Sequence, residues 1–375
     1  MLVSPGLHLF CKPVLLIFEY FRILSTYGKN EFKTQDPEKE LVLMSLVSVI
    51  IPCYNEEKHI TNLLGALKNQ TYSIKNIEII IADGNSTDDT VKKIELFKKN
   101  SPNIKIMILQ NEKRIIPSAL NLAIQASQGD YIIRMDAHSL PNYDYIERCV
   151  SHLEDGNAEN VGGLWLIQPA SDNLISKSIA YAASHPLGVG DAKYRYSEEK
   201  AYVETVPYGA FKKDLFNKIG LFDENLLANE DYEFNTRIQK IGGRILFDPK
   251  IKTKYIAREN LRTLWKQYFN YGFWKFKMLQ KYPETIRWRQ ASPPLFVISI
   301  IMGSIIAVFI RIFRIVLFFE LLIYFGLLIL SSIKIVKKEK DLGLFIGIPL
   351  AILTMHFAWG LGFLSSFFGL IIQKK

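Results

Sequence analysis

Short apolar runs and helix-spaced apolar positions take turns along the first third of the chain. Val47–Ile51 is a β-rich run stopped by Pro52. Glu56–Lys68 sets Ile60, Leu63, Leu64 and Leu67 on one helical face. Ile77–Ala82 is a second strand, closed by Asp83 and Gly84. Ser86-Thr-Asp-Asp89 reads as the opening of a helix, a hydroxyl cap followed by acids in the first turn. A third strand (Ile104–Leu109), a helix (Ser118–Ser127) and a fourth strand (Tyr131–Met135, ending at Asp136) complete the series. This β-α-β-α-β-α-β order predicts an α/β domain whose mostly parallel sheet is covered on both faces. Ligands of such sheets sit at the carboxyl ends of the strands. Pro52-Cys-Tyr-Asn-Glu56, Asp83 and Asp136 all fall there.

The pattern then changes. Pro294–Ile310, Ile315–Ile335 and Leu342–Ile372 are almost unbroken apolar stretches. The first two have the length that a hydrocarbon layer of about 30 Å requires. The third is longer and contains Gly347, Pro349, Gly360 and Gly362, so one long span, a broken span and a hairpin all fit. Glu320 and His356 lie inside these stretches, as functional groups or as ties to a neighbouring helix. Three divisions follow: a segment 1–44, a catalytic domain 45–290 and a membrane domain 291–375. In the first segment Val14–Phe21 is apolar, but Lys12, Glu19 and Arg22 bound or interrupt it. That predicts an interfacial helix rather than a signal peptide; the alternative is that translation starts at Met44.

Composition changes this picture only in part. At 22% charged and 49% apolar residues the chain is neither disordered nor collagen-like. Three unpaired cysteines, Cys11, Cys53 and Cys149, exclude a disulfide scaffold. The net charge of +9 is spread along the chain and gathers beside the apolar runs, at Arg287 and Arg289 and at Lys334, Lys337, Lys338 and Lys340. This is the pattern of a multi-pass protein with a cytoplasmic catalytic domain, not of a nucleic-acid groove. Arg311 and Arg314, between the first two spans, weaken the charge argument without reversing it.

Three polar clusters carry candidate chemistry, and each alone has a plainer role. Asp83, just past a strand, is placed to accept hydrogen bonds from a base or ribose, or simply to make a turn. Asp136-Ala-His138 offers an oxygen and a nitrogen that suit Mn²⁺ or Mg²⁺ at a diphosphate, or is a surface histidine. Glu230-Asp231 precedes a helical pattern at Phe234, Ile238 and Ile241, either as ordinary first-turn acids or as a buried general base.

In this order and spacing the clusters resemble the family 2 glycosyltransferases with a GT-A fold, over about residues 46–275. The resemblance implies a nucleotide-diphosphate-sugar donor bound through Pro52, Tyr54, Glu56, Asp83, Arg114, Asp136 and Ala137. It implies a divalent metal at Asp136 and His138, and Asp231 as inverting base beside Glu230. His138 stands where the family commonly has a second Asp, so Asp136 is the firmer metal ligand. Processive members carry Gln-x-x-Arg-Trp where this chain reads Gln267-Tyr-Phe-Asn-Tyr271, which points to single addition. Arg134-Met-Asp136-Ala-His138 and His185-Pro-Leu-Gly-Val-Gly190, with Lys193 and Arg195, are similar to succinoglycan-type exopolysaccharide enzymes. Gly188, Gly190, Lys193 and Arg195 then become candidate diphosphate contacts, and Tyr208 and Gln267 acceptor contacts; a flexible basic loop is the alternative. The expected acceptor is a polyprenyl-linked saccharide. Transfer to a polyprenyl monophosphate, and a non-enzymatic membrane scaffold, are the competing readings. A sugar nucleotidyltransferase lacks its Gly-rich basic loop here. The aromatic-basic run Trp265–Lys277 is expected at the membrane interface.

Overall fold

The computed structural model describes residues 45–373. The expectations for residues 1–44 lie outside the described residues. The elements are β1 (Val47–Cys53), α1 (Ile60–Lys68), β2 (Ile77–Asp83), α2 (Thr90–Lys99), β3 (Lys105–Gln110), α3 (Ile116–Ala126), β4 (Tyr131–Arg134) and β5 (Leu140–Pro141). Next come α4 (Tyr145–Glu154), β6 (Asn160–Gln168), α5 (Leu174–Ala183), α6 (Pro186–Val189), β7 (Ala201–Tyr202), β8 (Ala210–Lys212), α7 (Asp214–Ile219), α8 (Glu230–Lys240) and β9 (Ile245–Ile256). Four long helices end the chain: α9 (Leu261–Lys281), α10 (Trp288–Phe309), α11 (Arg311–Glu339) and α12 (Leu344–Gln373).

The sheet runs β3-β2-β1-β4-β8-β6-β9-β5, with β7 on β9. Its long pairings are parallel: β1 with β2 and β4, β2 with β3, and β6 with β9. The antiparallel ones, through β5, β7 and β8, are two or three residues long. Alternate positions of β1 and β2 feed two cores. Val47, Val49, Ile51, Ile77, Ile79 and Ile81 pack with Ile60, Leu63, Leu64 and Leu67 of α1. Ile50 and Ile80 pack with Leu120 and Ile124 of α3 and with Phe211, Phe216, Phe222 and Phe234. Burial on both faces is why these strands read as continuous apolar runs. The architecture is GT-A-like, an α/β domain on a mostly parallel sheet.

Two helix starts differ from the sequence reading. Helix α1 begins at Ile60 rather than Glu56; the Glu56 and Glu57 N–H groups donate to Thr90 Oγ1 (2.8 Å) and Asp88 Oδ2 (3.2 Å). Helix α2 begins at Thr90 with Asp89 at its cap and no hydroxyl cap. The Ser86 hydroxyl donates back to Asp83 Oδ1 (2.5 Å), which makes a turn of the expected cap.

Helices α10, α11 and α12 are each long and apolar enough to cross a membrane. The expected 290/291 boundary falls inside α10, and α12 is one helix, neither broken nor a hairpin. Its glycines are points of close approach: a Cβ on Gly347 would strike Ser178, on Gly360 the Pro293 carbonyl, and on Gly362 the Phe269 carbonyl. Leu264, Tyr268, Gly272, Lys275 and Met278 form the buried stripe of α9. His356 bonds Tyr324 Oη (2.9 Å) and the Leu187 carbonyl (2.9 Å), and Glu320 accepts from Ser299, so both intramembrane groups tie elements together.

Candidate active site

The loops after β1 and β2 are built as one unit. Asp83 is buried and accepts from the Ser86 N–H (2.9 Å) as well as its hydroxyl. The Asn55 N–H donates to Ser86 Oγ (2.9 Å), and Asn55 Oδ1 accepts from the Thr87 N–H (2.8 Å). Asn55 takes a positive φ of 52° to close this exchange, a conformation that asparagine tolerates better than most residues. The Tyr54 ring is left half exposed above the strand ends, and a Cβ on Gly84 would touch it at 3.4 Å. Pro52 lies within β1 in parallel register with Ala82. Arg114, with φ 55°, is exposed in the loop after β3.

At the end of β4 the chain delivers Arg134, Asp136 and His138. His138 Nδ1 meets Glu56 Oε1 at 2.9 Å, and this hydrogen bond raises the imidazole above its ordinary range. Two residues expected in different roles are thus one pair. Nε2 is the ring nitrogen left for another partner. Ala137 is buried between Asp136 and His138.

Arg134 is the centre of charge. Its Nη2 lies 3.0 Å from Glu230 Oε1 and 3.4 Å from Asp136 Oδ1. Burial opposes its charge, and the carboxylates of Asp136, Glu230 and Asp231 restore it. Glu230 opens α8 and is buried; loss of water, only partly offset by Arg134, pushes its carboxyl up to about 7. Asp231 is raised by the same burial, while the Tyr232 N–H donates to its Oδ1 at 2.7 Å. The two acids therefore sit in the first turn of α8, not before it. Asn229 at the N-cap has φ 64°, and its side chain accepts no cap bond; its amide N–H donates to the Tyr271 carbonyl instead (3.3 Å).

A cavity of about 10 Å³ lies beside Asp231, lined among others by Arg134, Asn160, Tyr208 and Asn235. That is room for roughly one water. Arg134 Nε and Nη1, Asn160 Oδ1 and Tyr208 Oη are buried without a hydrogen-bond partner among the described residues. Tyr208 adopts φ 65°, and burial pushes its phenol well up.

The other expected contacts are placed differently. Gly188 and Gly190 leave no room for a side chain: a Cβ would strike the Ala182 carbonyl or the Arg289 side chain. Lys193 and Arg195 share a single 3₁₀ turn, in which Arg195 is buried over Trp165. Gln267 donates to Tyr255 Oη (3.1 Å) and Tyr271 Oη (2.9 Å). The sequence motif contains Arg134 without a role for it, because its partner Glu230 is distant in sequence and meets it only in the fold. Asn160 and Asn235, joined at 2.6 Å, carried no local signal.

Among the described residues no three His, Cys, Asp or Glu side chains are grouped to hold a metal. Asp136 and His138 together offer two ligands of the kind that Mg²⁺ or Mn²⁺ accepts when substrate phosphates complete its shell.

The chain is similar to several known proteins. Residues 48–220 match the profile of glycosyl transferase family 2. A dolichyl N-acetyl-α-D-glucosaminyl phosphate 3-β-D-2,3-diacetamido-2,3-dideoxy-β-D-glucuronosyltransferase of Methanococcus voltae is 31% identical over 85% of this chain and 96% of its own. The succinoglycan biosynthesis protein ExoA of Rhizobium meliloti is 32% identical over 69% of this chain and 78% of its own. The mannosyltransferase PcManGT of Pyrobaculum calidifontis, solved with GDP-Man and Mn²⁺, shares the fold at a TM-score of 0.53 and 16% identity, over 90% of this chain and 94% of that one. On this evidence the chain belongs to glycosyl transferase family 2 and is a glycosyltransferase.

Proposed function

We propose that the enzyme moves one sugar from a nucleotide-diphosphate sugar, by family expectation a UDP-sugar, to a polyprenyl-linked saccharide, with inversion at the anomeric carbon. The observation that carries the reading is the buried Arg134 joining Asp136, Glu230 and Asp231 in one charged group. The printed names of the relatives agree with it, one giving a dolichyl-linked sugar phosphate as acceptor and the other succinoglycan biosynthesis. Asp83 accepts hydrogen bonds from the nucleoside, and Tyr54 offers its exposed ring to the base.

Asp231 takes the acceptor hydroxyl proton as that oxygen attacks the anomeric carbon and the bond to the diphosphate breaks. Glu230 orients Asp231 and, while protonated, donates a hydrogen bond. Arg134 keeps the three carboxylates together without letting them repel one another apart. A divalent cation, Mn²⁺ or Mg²⁺, held by Asp136 and His138, would neutralise the leaving diphosphate. The apolar helices anchor the site beside a substrate confined to the bilayer, which raises its local concentration. The positive charge at the end of α11 (Lys334, Lys337, Lys338) and at Arg287 and Arg289 before α10 supports a cytoplasmic catalytic domain.

The test is UDP release from a panel of UDP-sugars with lipid extract, with and without Mn²⁺. Lipid-dependent release supports the reading. Release to polyprenyl monophosphate that ignores Asp231→Asn favours a phosphate acceptor, which needs no base.

A further inference from the structure

Arg195 is a buried cation with no anionic partner among the described residues. It is 8% exposed and forms no ion pair among the described residues. Its polar contacts are both long and neutral, Tyr194 Oη and the Ala183 carbonyl, each at 3.4 Å. The guanidinium lies 5.0 Å from the centre of the Trp165 ring and 5.3 Å from that of Tyr194. Trp165 is in turn stacked on Tyr255 at 4.2 Å, almost parallel. Cation–π contact offsets part of the cost of burying a charge, and proteins complete such sites with an anion. Two further donors nearby are unused: Trp165 Nε1 and Tyr208 Oη are buried with no partner among the described residues.

The Arg195 site is continuous with the catalytic group. Tyr208 lines the cavity beside Asp231, and its ring centre is 5.7 Å from that of Trp165. One Trp165–Tyr208 contact therefore separates the base from the cation. One sugar residue likewise separates an acceptor hydroxyl from the phosphate on its anomeric carbon.

We propose that Arg195, held between Trp165 and Tyr194 with Tyr255 stacked behind Trp165, is the subsite for the phosphate of the acceptor, set for a short saccharide whose phosphate lies about one sugar from the reacting hydroxyl. This rests on the lipid-linked acceptor proposed above. Arg195 makes charge-assisted bonds to the phosphate oxygens, and Trp165 Nε1 and Tyr208 Oη supply further donors. Lys193, two residues away, is not part of this subsite.

The experiment uses the full chain in detergent micelles and measures binding of farnesyl diphosphate, inorganic pyrophosphate and UDP to the wild type, Arg195→Gln and Arg195→Lys. Farnesyl diphosphate is expected to bind the wild type, to bind R195K about tenfold more weakly because the planar fork is lost, and to fail on R195Q. UDP affinity stays the same in all three, which also shows that the variants are folded. Pyrophosphate that binds as tightly as the farnesyl compound and is lost in R195Q supports the phosphate subsite and shows that the lipid tail adds nothing. Farnesyl diphosphate binding unchanged in R195Q overturns the proposal. Loss of UDP binding alone also overturns it, because the site then serves the donor. If R195Q does not fold, an unchanged affinity in R195K overturns it. Absence of UDP binding in the wild type counts against the donor reading while leaving the Arg195 comparison intact.

Discussion

At Glu230 and Asp231 two neighbouring carboxylates share one buried guanidinium, so ionising both costs more than ionising either in water. The sign of the resulting pH effect is fixed. Glu230 is raised from 4.5 unfolded to about 7 folded. The folded state thus keeps a proton that the unfolded state has lost between these values. The contribution to stability is complete below the unfolded value and is lost as pH rises through about 7. Glu230→Gln removes that slope. Thermal midpoints measured from about pH 5 to about pH 8 should fall in the wild type relative to E230Q, and parallel curves would refute the assignment. Arg134→Met leaves the carboxylates buried without their cation, and an expected loss of about 3–5 kcal/mol is readable by denaturation in detergent. Asp83, Asp136, Glu230 and Asp231 were legible because each is an acid at a strand end or helix start. Arg134 was less so, because its burial and its contacts with Asp136 and Glu230 arise only across the fold.

Helices α9 and α12 meet backbone to backbone. A Cβ on Gly272 would strike the Trp359 carbonyl, and one on Gly362 the Phe269 carbonyl. Carbonyls in helices cannot swing aside as side chains do, so Gly362→Val should cost at least the ~1–3 kcal/mol of an overpacked core. Gly326→Ala is the control: nothing lies within 4 Å of its Cβ, and alanine suits a helix better. G362V should denature earlier and G326A should not, by differential scanning fluorimetry; equal behaviour would mean that the α9–α12 contact is loose. The alternating strands and helices were readable from periodicity, since each apolar run faces one of two cores. The continuity of α12 was not, because Gly and Pro are helix breakers in isolation and only the neighbours show why glycine is needed there.

In the whole molecule the catalytic domain and the apolar helices are a single packed unit from Ser45 onward. Leu264 and Tyr268 of α9 share a core with Leu344, Ile348, Ala351 and Met355 of α12. Trp288 is 79% exposed between Arg287 and Arg289 at the start of α10. With only Ile310 between α10 and α11, residues near 310 lie across the bilayer from Lys338 if both helices span it. Lys338→Cys should react with an impermeant maleimide only from the cytoplasmic face, and Ile310→Cys only from the other; the reverse result would invert the topology. Composition made the three spans legible, whereas their packing onto the catalytic domain depends on glycine contacts that no hydropathy pattern carries. The most direct test of the central claim is UDP release by the wild type and Asp231→Asn, with lipid extract and Mn²⁺, alongside UDP binding. Lipid-dependent release is expected to fall about 10²–10⁴-fold in D231N while UDP still binds. Release undiminished in D231N would contradict Asp231 as the base.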